Sequence, residues 1–268
     1  MPTIAQLLAA SSLPLLDARA LLAPLLGVTR ETLIAHPERA VAEADAARFA
    51  ELAARRRDGE PLAYLLGVRE FYGRDFAVTP AVLVPRPETE LLVQAGLAVV
   101  DGPAPRILDL GTGSGCIAIS LALERRDAEV VAVDRSAAAL EVARGNAQRL
   151  GAQVRFIESD WFSALAGEPP FDLIVANPPY VAADDPHLTA LAHEPASALV
   201  AGADGLDDLR VIAREAPRHL KQDGALMVEH GHDQAARVRA LLRAAQFADV
   251  GSQRDLQGIE RVTHGRRR

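Results

Sequence analysis

The sequence predicts an α/β protein with a mostly parallel, doubly wound sheet, preceded by a small helical domain. From residue 106 onward, short apolar runs alternate with segments of helical periodicity. This alternation is typical of parallel strands joined by helical crossovers. Before residue 68, Ala, Leu and Arg recur at helical spacing and no convincing strand occurs. That pattern indicates a bundle of four or five helices.

The sheet is predicted to contain seven strands. Five apolar runs alternate with helical segments and are expected to be parallel, and two more strands follow near the carboxyl terminus. The long polar stretch at 181–205 is expected to be a loop over the site. The strands are predicted at 106–110, 129–134, 154–157, 171–176, 224–229, near 250 and at 261–263, with helices up to 125 and at 136–150, 206–220 and 234–247.

Three domains or segments follow from these patterns. Residues 1–67 form the N-terminal helical bundle, which carries no chemical motif and is expected to dock a partner. Between 68 and 86, aromatic and β-branched residues alternate with polar ones, which predicts a β-hairpin linker. Residues 87–268 form the main domain and open with a helix at 91–100. The helices of the bundle are expected at 4–8, 15–26, 29–37, 43–57 and 61–65.

Composition narrows the class of protein. The net charge of −7 argues against non-specific binding to nucleic acid phosphates, and the basic end at 266–268 is interpreted as a solvated terminus. A single cysteine excludes an internal disulfide framework and a zinc site made of cysteines. No apolar run has the roughly 20 residues of a membrane span. We therefore expect a cytoplasmic enzyme or binding protein without a metal.

The first chemical motif is a glycine-rich turn after the strand at 106–110. It reads Asp109-Leu110-Gly111-Thr112-Gly113-Ser114-Gly115. Glycines at a strand-to-helix turn let the backbone approach a ligand, and Asp134, at the end of the next strand, is placed to bind ribose hydroxyls. This suits a dinucleotide or S-adenosylmethionine. The dinucleotide fingerprint, G-x-G-x-x-G/A, requires glycine or alanine at its last position, and here that position is Cys116. The loop therefore favours S-adenosylmethionine.

The second motif is Asn177-Pro178-Pro179-Tyr180, which closes the strand at 171–176. Two prolines end the strand and hold the flanking side chains in a rigid turn. The Asn177 side-chain carbonyl and the Pro178 backbone carbonyl are expected to accept both N–H hydrogens of an amide or amine, orienting its nitrogen toward a methyl donor. Tyr180 is expected to pack on the flat face of that group.

Together these motifs resemble the class I S-adenosylmethionine-dependent N-methyltransferases. With the flanking motifs, the chain resembles the HemK/PrmC family, the protein-(glutamine-N5) methyltransferases that modify the Gly-Gly-Gln glutamine of peptide chain release factors in translation termination. The resemblance covers nearly the whole chain and is weakest over residues 1–60. The flanking motifs are 67–73, 85–90, 159–162, Glu194-Pro195, 202–209 and 260–263.

The resemblance also implies roles for individual residues. The cofactor would be bound by Asp109, Gly111, Thr112, Gly113, Ser114, Gly115, Asp134, Trp161 and Asn177. The substrate glutamine would be bound by Asn177, Pro178, Pro179 and Tyr180, of which Asn177, Pro178 and Tyr180 would be catalytic. Arg86 and Glu88 would lie near the amino acid end of the cofactor. His193 stands where the family more often has an aromatic residue.

Two alternatives stay open from the residues. A DNA adenine-N6 methyltransferase shares the Asn177–Tyr180 motif but needs a basic surface and a target recognition domain. A non-catalytic module that binds S-adenosylmethionine would need only the glycine loop. Cys116 is interpreted as a packing residue, and the segment 229–233 as a strand end with a polar turn, because its spacing fits no standard metal site.

Overall fold

The computed structural model describes all 268 residues, which form two compact units, Met1–Val68 and Arg69–Arg268. The first unit is all helical, with a core that includes Ile4, Leu22 and Phe49. Thr3 and Gln6 form a reciprocal capping box that starts the first helix. Its five helices are α1 (Ile4–Ala10), α2 (Leu15–Leu25), α3 (Arg30–Ala35), α4 (Glu43–Arg57) and α5 (Leu62–Leu66).

The segment between the bundle and the main sheet forms a two-stranded hairpin, β1 (Val68–Phe71) and β2 (Arg74–Ala77). The side chain of Asn146 bonds both backbone groups of Ala77, at 2.8 Å from its N–H and 3.0 Å to its carbonyl. Phe71 and Phe76 are fully buried in the core of the second unit. The hairpin is therefore packed on the second unit, and residues after Ala77 run without regular structure to a 3-10 turn at Pro87–Thr89.

The second unit is built on a seven-stranded sheet of order β5-β4-β3-β6-β7-β9-β8. The first five of these strands are parallel and the last two pair antiparallel. The strands are β3 (Arg106–Leu110), β4 (Glu129–Asp134), β5 (Val154–Glu158), β6 (Phe171–Ala176), β7 (Leu220–Glu229), β8 (Ala248–Arg254) and β9 (Glu260–Arg266), and the helices are α6 (Glu90–Val99), α7 (Cys116–Glu124), α8 (Ala137–Leu150), α9 (Asp207–His219) and α10 (Ala235–Ala244).

Both faces of this sheet are buried. Along β6, Leu173 and Val175 point into one apolar cluster, while Ile174 and Ala176 point into the other. Burial on both faces explains why the strands are continuous apolar runs in the sequence. The predicted fold class, an α/β protein with a mostly parallel seven-stranded sheet, is confirmed. No helix is long and apolar enough to span a membrane.

Two predicted elements differ most from the structure. Strand β7 begins at Leu220, four residues before the predicted start, because its first residues pair with β6 across a register irregularity between Phe171 and Leu173. The stretch at 181–205 is not a plain loop. It contains 3-10 turns at Pro186–Leu191 and Ala196–Ala198, and Val181 pairs with Val200. These short turns produce no helical or strand periodicity in the polar, proline-containing sequence, so the sequence does not predict them.

Candidate active site

The carboxyl ends of β3, β4 and β6 border one cleft. Strand order reverses between β3 and β6, since β4 and β5 lie on one side of β3 and β7 on the other. Such a reversal is where ligands bind in open α/β sheets. The cleft holds about 930 Å³ of empty space, part of it open to solvent. Its walls include Gly111, Thr112, Gly113, Ser114, Asp134, Trp161, Asn177 and Pro179 among the predicted site residues.

The glycine loop joins β3 to α7 in a backbone conformation that requires glycine. Gly111, Gly113 and Gly115 have φ angles of 70°, 55° and 83°, in the left-handed region. Asp134 supports the loop, because one carboxylate oxygen accepts from the Gly113 N–H at 2.9 Å and the other from the Ser136 N–H at 2.9 Å. Asp134 thus lines the cleft and also fixes the loop that borders it.

Asp109 and Gly115 lie behind the loop and do not line the cleft. Asp109 is fully buried and accepts from the Thr112 hydroxyl at 2.6 Å and the Ala118 N–H at 3.3 Å. Burial raises the pKa of Asp109 to about 7. At Gly115, a Cβ would lie 2.8 Å from Ile119 Cδ1 and 3.2 Å from Ala143 Cβ. The structure therefore places these two residues in the support of the loop.

Trp161 stands over the loop in a fixed orientation. A Cβ on Gly111 would lie 3.3 Å from its ring, and its indole N–H donates to Asp208 at 3.2 Å. Its backbone has a φ of 48°, an unusual conformation for a bulky residue, and its carbonyl accepts from the Ser159 hydroxyl at 2.9 Å. This strained and anchored geometry places an aromatic ring on the cleft wall.

The Asn177–Tyr180 turn follows β6 on the other side of the cleft. Asn177 and Pro179 line the cleft, whereas Pro178 is buried and Tyr180 is partly buried beside them. The Tyr180 carbonyl accepts from Gln234 Nε2 at 2.9 Å, which ties the turn to the start of α10. Burial raises the pKa of the Tyr180 phenol well above its usual value. The phenol is therefore neutral at physiological pH.

Two residues beside Asn177 were not singled out in the sequence. Thr89 and Glu229 are each only 2% exposed. The Asn177 amide nitrogen donates to the Thr89 hydroxyl at 3.2 Å. Burial raises the pKa of Glu229 to about 7, and hydrogen bonds from Thr89 and Tyr180 partly offset that rise. Thr89 lies inside the predicted 85–90 motif, whereas for Glu229 the sequence indicates only the end of a strand.

Arg86 and Glu194 connect two edges of the cleft. Glu194 is buried, accepts from the Val84 N–H at 3.0 Å and forms an ion pair with Arg86. Arg86 lines the cleft and Glu88 does not.

Cys116 lines the cleft but is largely buried, and burial raises its thiol pKa to about 12, as expected for a packing residue. No three His, Cys, Asp or Glu side chains are grouped in a way that could hold a metal ion.

The sheet order, glycine loop, Asp134 and the Asn177–Tyr180 turn define a class I methyltransferase domain. A methyltransferase domain model matches residues 102–261, and a PrmC N-terminal domain model matches residues 3–67. The chain belongs to the release factor glutamine methyltransferase family. It is 53% identical to such an enzyme from Bordetella pertussis, with 99% of each chain covered, and 52% identical to one from Burkholderia pseudomallei, covering 98% of this chain and 96% of that one.

Solved structures agree with the fold. The T. thermophilus 16S rRNA N2 G1207 methyltransferase, in complex with AdoMet and guanosine, has a TM-score of 0.56 at 21% identity and covers 75% of this chain and 50% of its own. The hMettl16 catalytic domain has a TM-score of 0.58 at 15% identity and covers 83% and 81%. The chain is thus a protein-glutamine methyltransferase by family, and the methyltransferase domain match confirms the predicted cofactor, S-adenosylmethionine.

Proposed function

We propose that this chain transfers a methyl group from S-adenosylmethionine to the side-chain N5 of the glutamine in the Gly-Gly-Gln motif of peptide chain release factors. The observation that carries the proposal is the Asn177 amide, whose nitrogen is held by Thr89 on the wall of the same cleft as the glycine loop. An amide held in this way offers its oxygen to an N–H donor. The family supplies the glutamine as that donor.

On the cofactor side, the residues present fit S-adenosylmethionine. Asp134 lines the cleft with a carboxylate suited to ribose hydroxyls, and Gly111 to Ser114 line it beside Asp134. Trp161 offers a flat apolar face that suits adenine. When bound, the cofactor supplies a methyl group on a sulfonium. Asp109 and Gly115 would act by holding the loop, since neither reaches the cleft.

On the substrate side, the amide nitrogen is a weak nucleophile because its lone pair is delocalised. The Asn177 Oδ1 and Pro178 carbonyl accept its two hydrogens, so the lone pair is directed at the methyl carbon and developing positive charge is stabilised. In the transfer, the nitrogen lone pair would form the new bond to the methyl carbon, and the electron pair of the broken carbon–sulfur bond would stay on sulfur. One proton then leaves the nitrogen to water. The neutral Tyr180 phenol flanks the flat amide.

The proposal also covers how the substrate is docked and where in the cell the reaction takes place. The helical unit at Met1–Val68 docks the release factor, and the reaction takes place in the cytoplasm as part of translation termination. A negative net charge gives no support to the DNA adenine-N6 alternative. In this arrangement the helical bundle ends at residue 67, and the hairpin linker ends at residue 86, where the methyltransferase domain follows.

The direct test incubates the protein with methyl-labelled S-adenosylmethionine and a release factor. The expected result is one labelled glutamine, and no label in a release factor whose Gly-Gly-Gln glutamine is replaced by alanine. Equal labelling of both substrates would contradict the proposed position. Label in duplex DNA instead of protein would favour the adenine methyltransferase, and binding of the cofactor without transfer to either would favour a non-catalytic module.

A further inference from the structure

Thr89 and Glu229 adjoin Asn177 from distant parts of the chain. Thr89 ends the 3-10 turn at Pro87–Thr89, while Glu229 is the last residue of β7. Ala176 pairs with Val228 in the sheet, so Asn177 and Glu229 are the next residues on neighbouring strands. The hydroxyl of Thr89 bonds the Asn177 amide nitrogen and also interacts with the Glu229 carboxyl. These contacts make Thr89 the link in a chain of three polar side chains, Asn177–Thr89–Glu229, in which the Thr89 hydroxyl is bonded to Asn177 and lowers the pKa of Glu229.

The direction of this chain follows from counting protons. A threonine hydroxyl has one hydrogen to donate and lone pairs to accept with. When Glu229 is a carboxylate, it can only accept, so the Thr89 hydrogen points toward it. Thr89 can then only accept from Asn177. This forces the NH₂ group of Asn177 toward Thr89 and turns its oxygen away, toward the cleft that Asn177 lines.

Packing alone does not account for Glu229. The side chain is almost completely buried, and its Oε2 has no hydrogen-bond partner. An unpaired buried carboxylate oxygen is destabilising, and an apolar residue would fill the same place without that penalty. A buried acid kept beside the site at the expense of stability is typical of a functional role.

We propose that Thr89 and Glu229 are positioning residues that orient the Asn177 amide so that its oxygen faces the substrate nitrogen. The inference rests on the proposed function, because it concerns how the substrate amide is held. With the opposite orientation, the NH₂ group of Asn177 would face the NH₂ group of glutamine. Two donors would then meet and the substrate nitrogen would lose one of its acceptors.

Protonation of Glu229 should reverse the chain. A neutral carboxyl can donate to Thr89, which then donates to the Asn177 oxygen and turns it away from the cleft. The groups facing Glu229 are the hydroxyls of Thr89 and Tyr180 and the charge of Arg261, which lower its pKa, and the charge of Glu88, which raises it. Because burial outweighs these and raises the pKa to about 7, kcat should increase as pH rises through that value.

The first test compares three threonine variants. We expect Thr89→Val to lower kcat by roughly 10²-fold, because the Asn177 oxygen is no longer held toward the substrate nitrogen. Thr89→Ser keeps the hydroxyl and should retain most of the wild-type kcat. The dissociation constant of S-adenosylmethionine should change by less than about threefold. Thr263→Val is the matched control. Thr263 is equally buried and bonds His230 and Ser252 away from the cleft, so its loss should affect stability but not kcat.

The second test measures whether Thr89 acts through Asn177. In an Asn177→Ala background, adding Thr89→Val should lower kcat no further, since the group to be oriented is gone. Glu229→Gln replaces the acceptor-only carboxylate with an amide that can also donate, so its kcat should be about tenfold lower and nearly independent of pH from about pH 6 to about pH 8. Additive losses in the double variant would overturn the inference.

These outcomes are distinct from failure of the proposed function. If the wild-type protein labels no glutamine, the proposed function fails before any variant is compared. If it labels glutamine and Thr89→Val has the wild-type kcat, or Glu229→Gln keeps the wild-type pH profile, only the positioning inference fails. If Thr89→Val does not fold, Thr89→Ser and Glu229→Gln still decide it, through their kcat values and pH profiles.

Discussion

The two sides of the cleft are built from different parts of the polypeptide. The cofactor side is a backbone structure, in which Gly111 and Gly113, both with positive φ, line the cleft, and Asp134 accepts from the Gly113 N–H at 2.9 Å. The substrate side is a side-chain structure, in which the Asn177 amide is held by Thr89, 88 residues earlier in the chain. A backbone turn specifies its own geometry locally, whereas an amide needs neighbours to select its orientation.

This difference predicts how each side responds to mutation. On the substrate side, removing one functional group should greatly lower kcat while the fold remains, because the group is not needed for packing. On the cofactor side, adding one carbon should disturb the fold as well as binding, because the loop conformation and the close contacts behind it are both required.

Asn177→Ala should cause the largest loss of activity. Removing the acceptor for the substrate N–H should lower kcat by roughly 10²- to 10³-fold, by comparison with the loss of other transition-state hydrogen bonds. The melting temperature should change little, since Asn177 lies on the cleft wall. Single-turnover methylation and thermal unfolding measure the two effects. A large drop in melting temperature with normal kcat would contradict the division between the two sides.

Gly115→Ala should be more destabilising than Gly113→Ala. Both residues have positive φ, so each substitution introduces backbone strain of about 1–2 kcal/mol. Only at Gly115 does the new methyl group meet Ile119 at 2.8 Å, whereas nothing lies within 4 Å at Gly113. Overpacking should add about 1–3 kcal/mol to the loss in free energy of unfolding, measured in urea. Equal losses would show that the crowding behind the loop is relieved without strain.

Glu229→Gln should give a slower enzyme with a more stable fold at high pH. The pKa of Glu229 is raised from 4.5 to about 7, so the folded state holds a proton that the unfolded state has lost. Stability is therefore lost as pH rises between these values, by about 1–3 kcal/mol for a buried group. Glutamine has no such titration. The variant should therefore have a higher free energy of unfolding in urea than the wild type at about pH 8, and the difference should vanish below about pH 4. A variant less stable than the wild type at high pH would contradict this prediction.

Asp208→Ala should have the smallest effect. It removes the acceptor that anchors the Trp161 indole at 3.2 Å, a single hydrogen bond of about 0.5–1.5 kcal/mol. We expect the KM for S-adenosylmethionine to rise about two- to tenfold, with kcat nearly unchanged. Asp207→Ala is the matched control, because Asp207 is exposed and pairs with Arg210. If both variants raise KM equally, the cause is the lost negative charge at the start of α9 and not the released Trp161 ring.

Much of the fold is predictable from the sequence because the signals are local. Strands β3, β4 and β6 begin and end at the predicted residues, since each is an apolar run bounded by charged or turn-forming residues. Helix α4 likewise follows from its amphipathic spacing. The turns within 181–205 and the early start of β7 were missed, because pairing partners elsewhere in the chain stabilise them.

The sequence by itself determined the glycine loop, Asp134, Trp161 and the Asn177–Tyr180 turn as candidate site residues. Their chemistry is carried by residue type and by position at strand ends, which are local properties. Only the tertiary structure decided which of them line the cleft and which lie behind it. It also brought Thr89 and Glu229 beside Asn177, because hydrogen bonds between distant segments depend on sheet order and burial, which no local pattern of residues encodes.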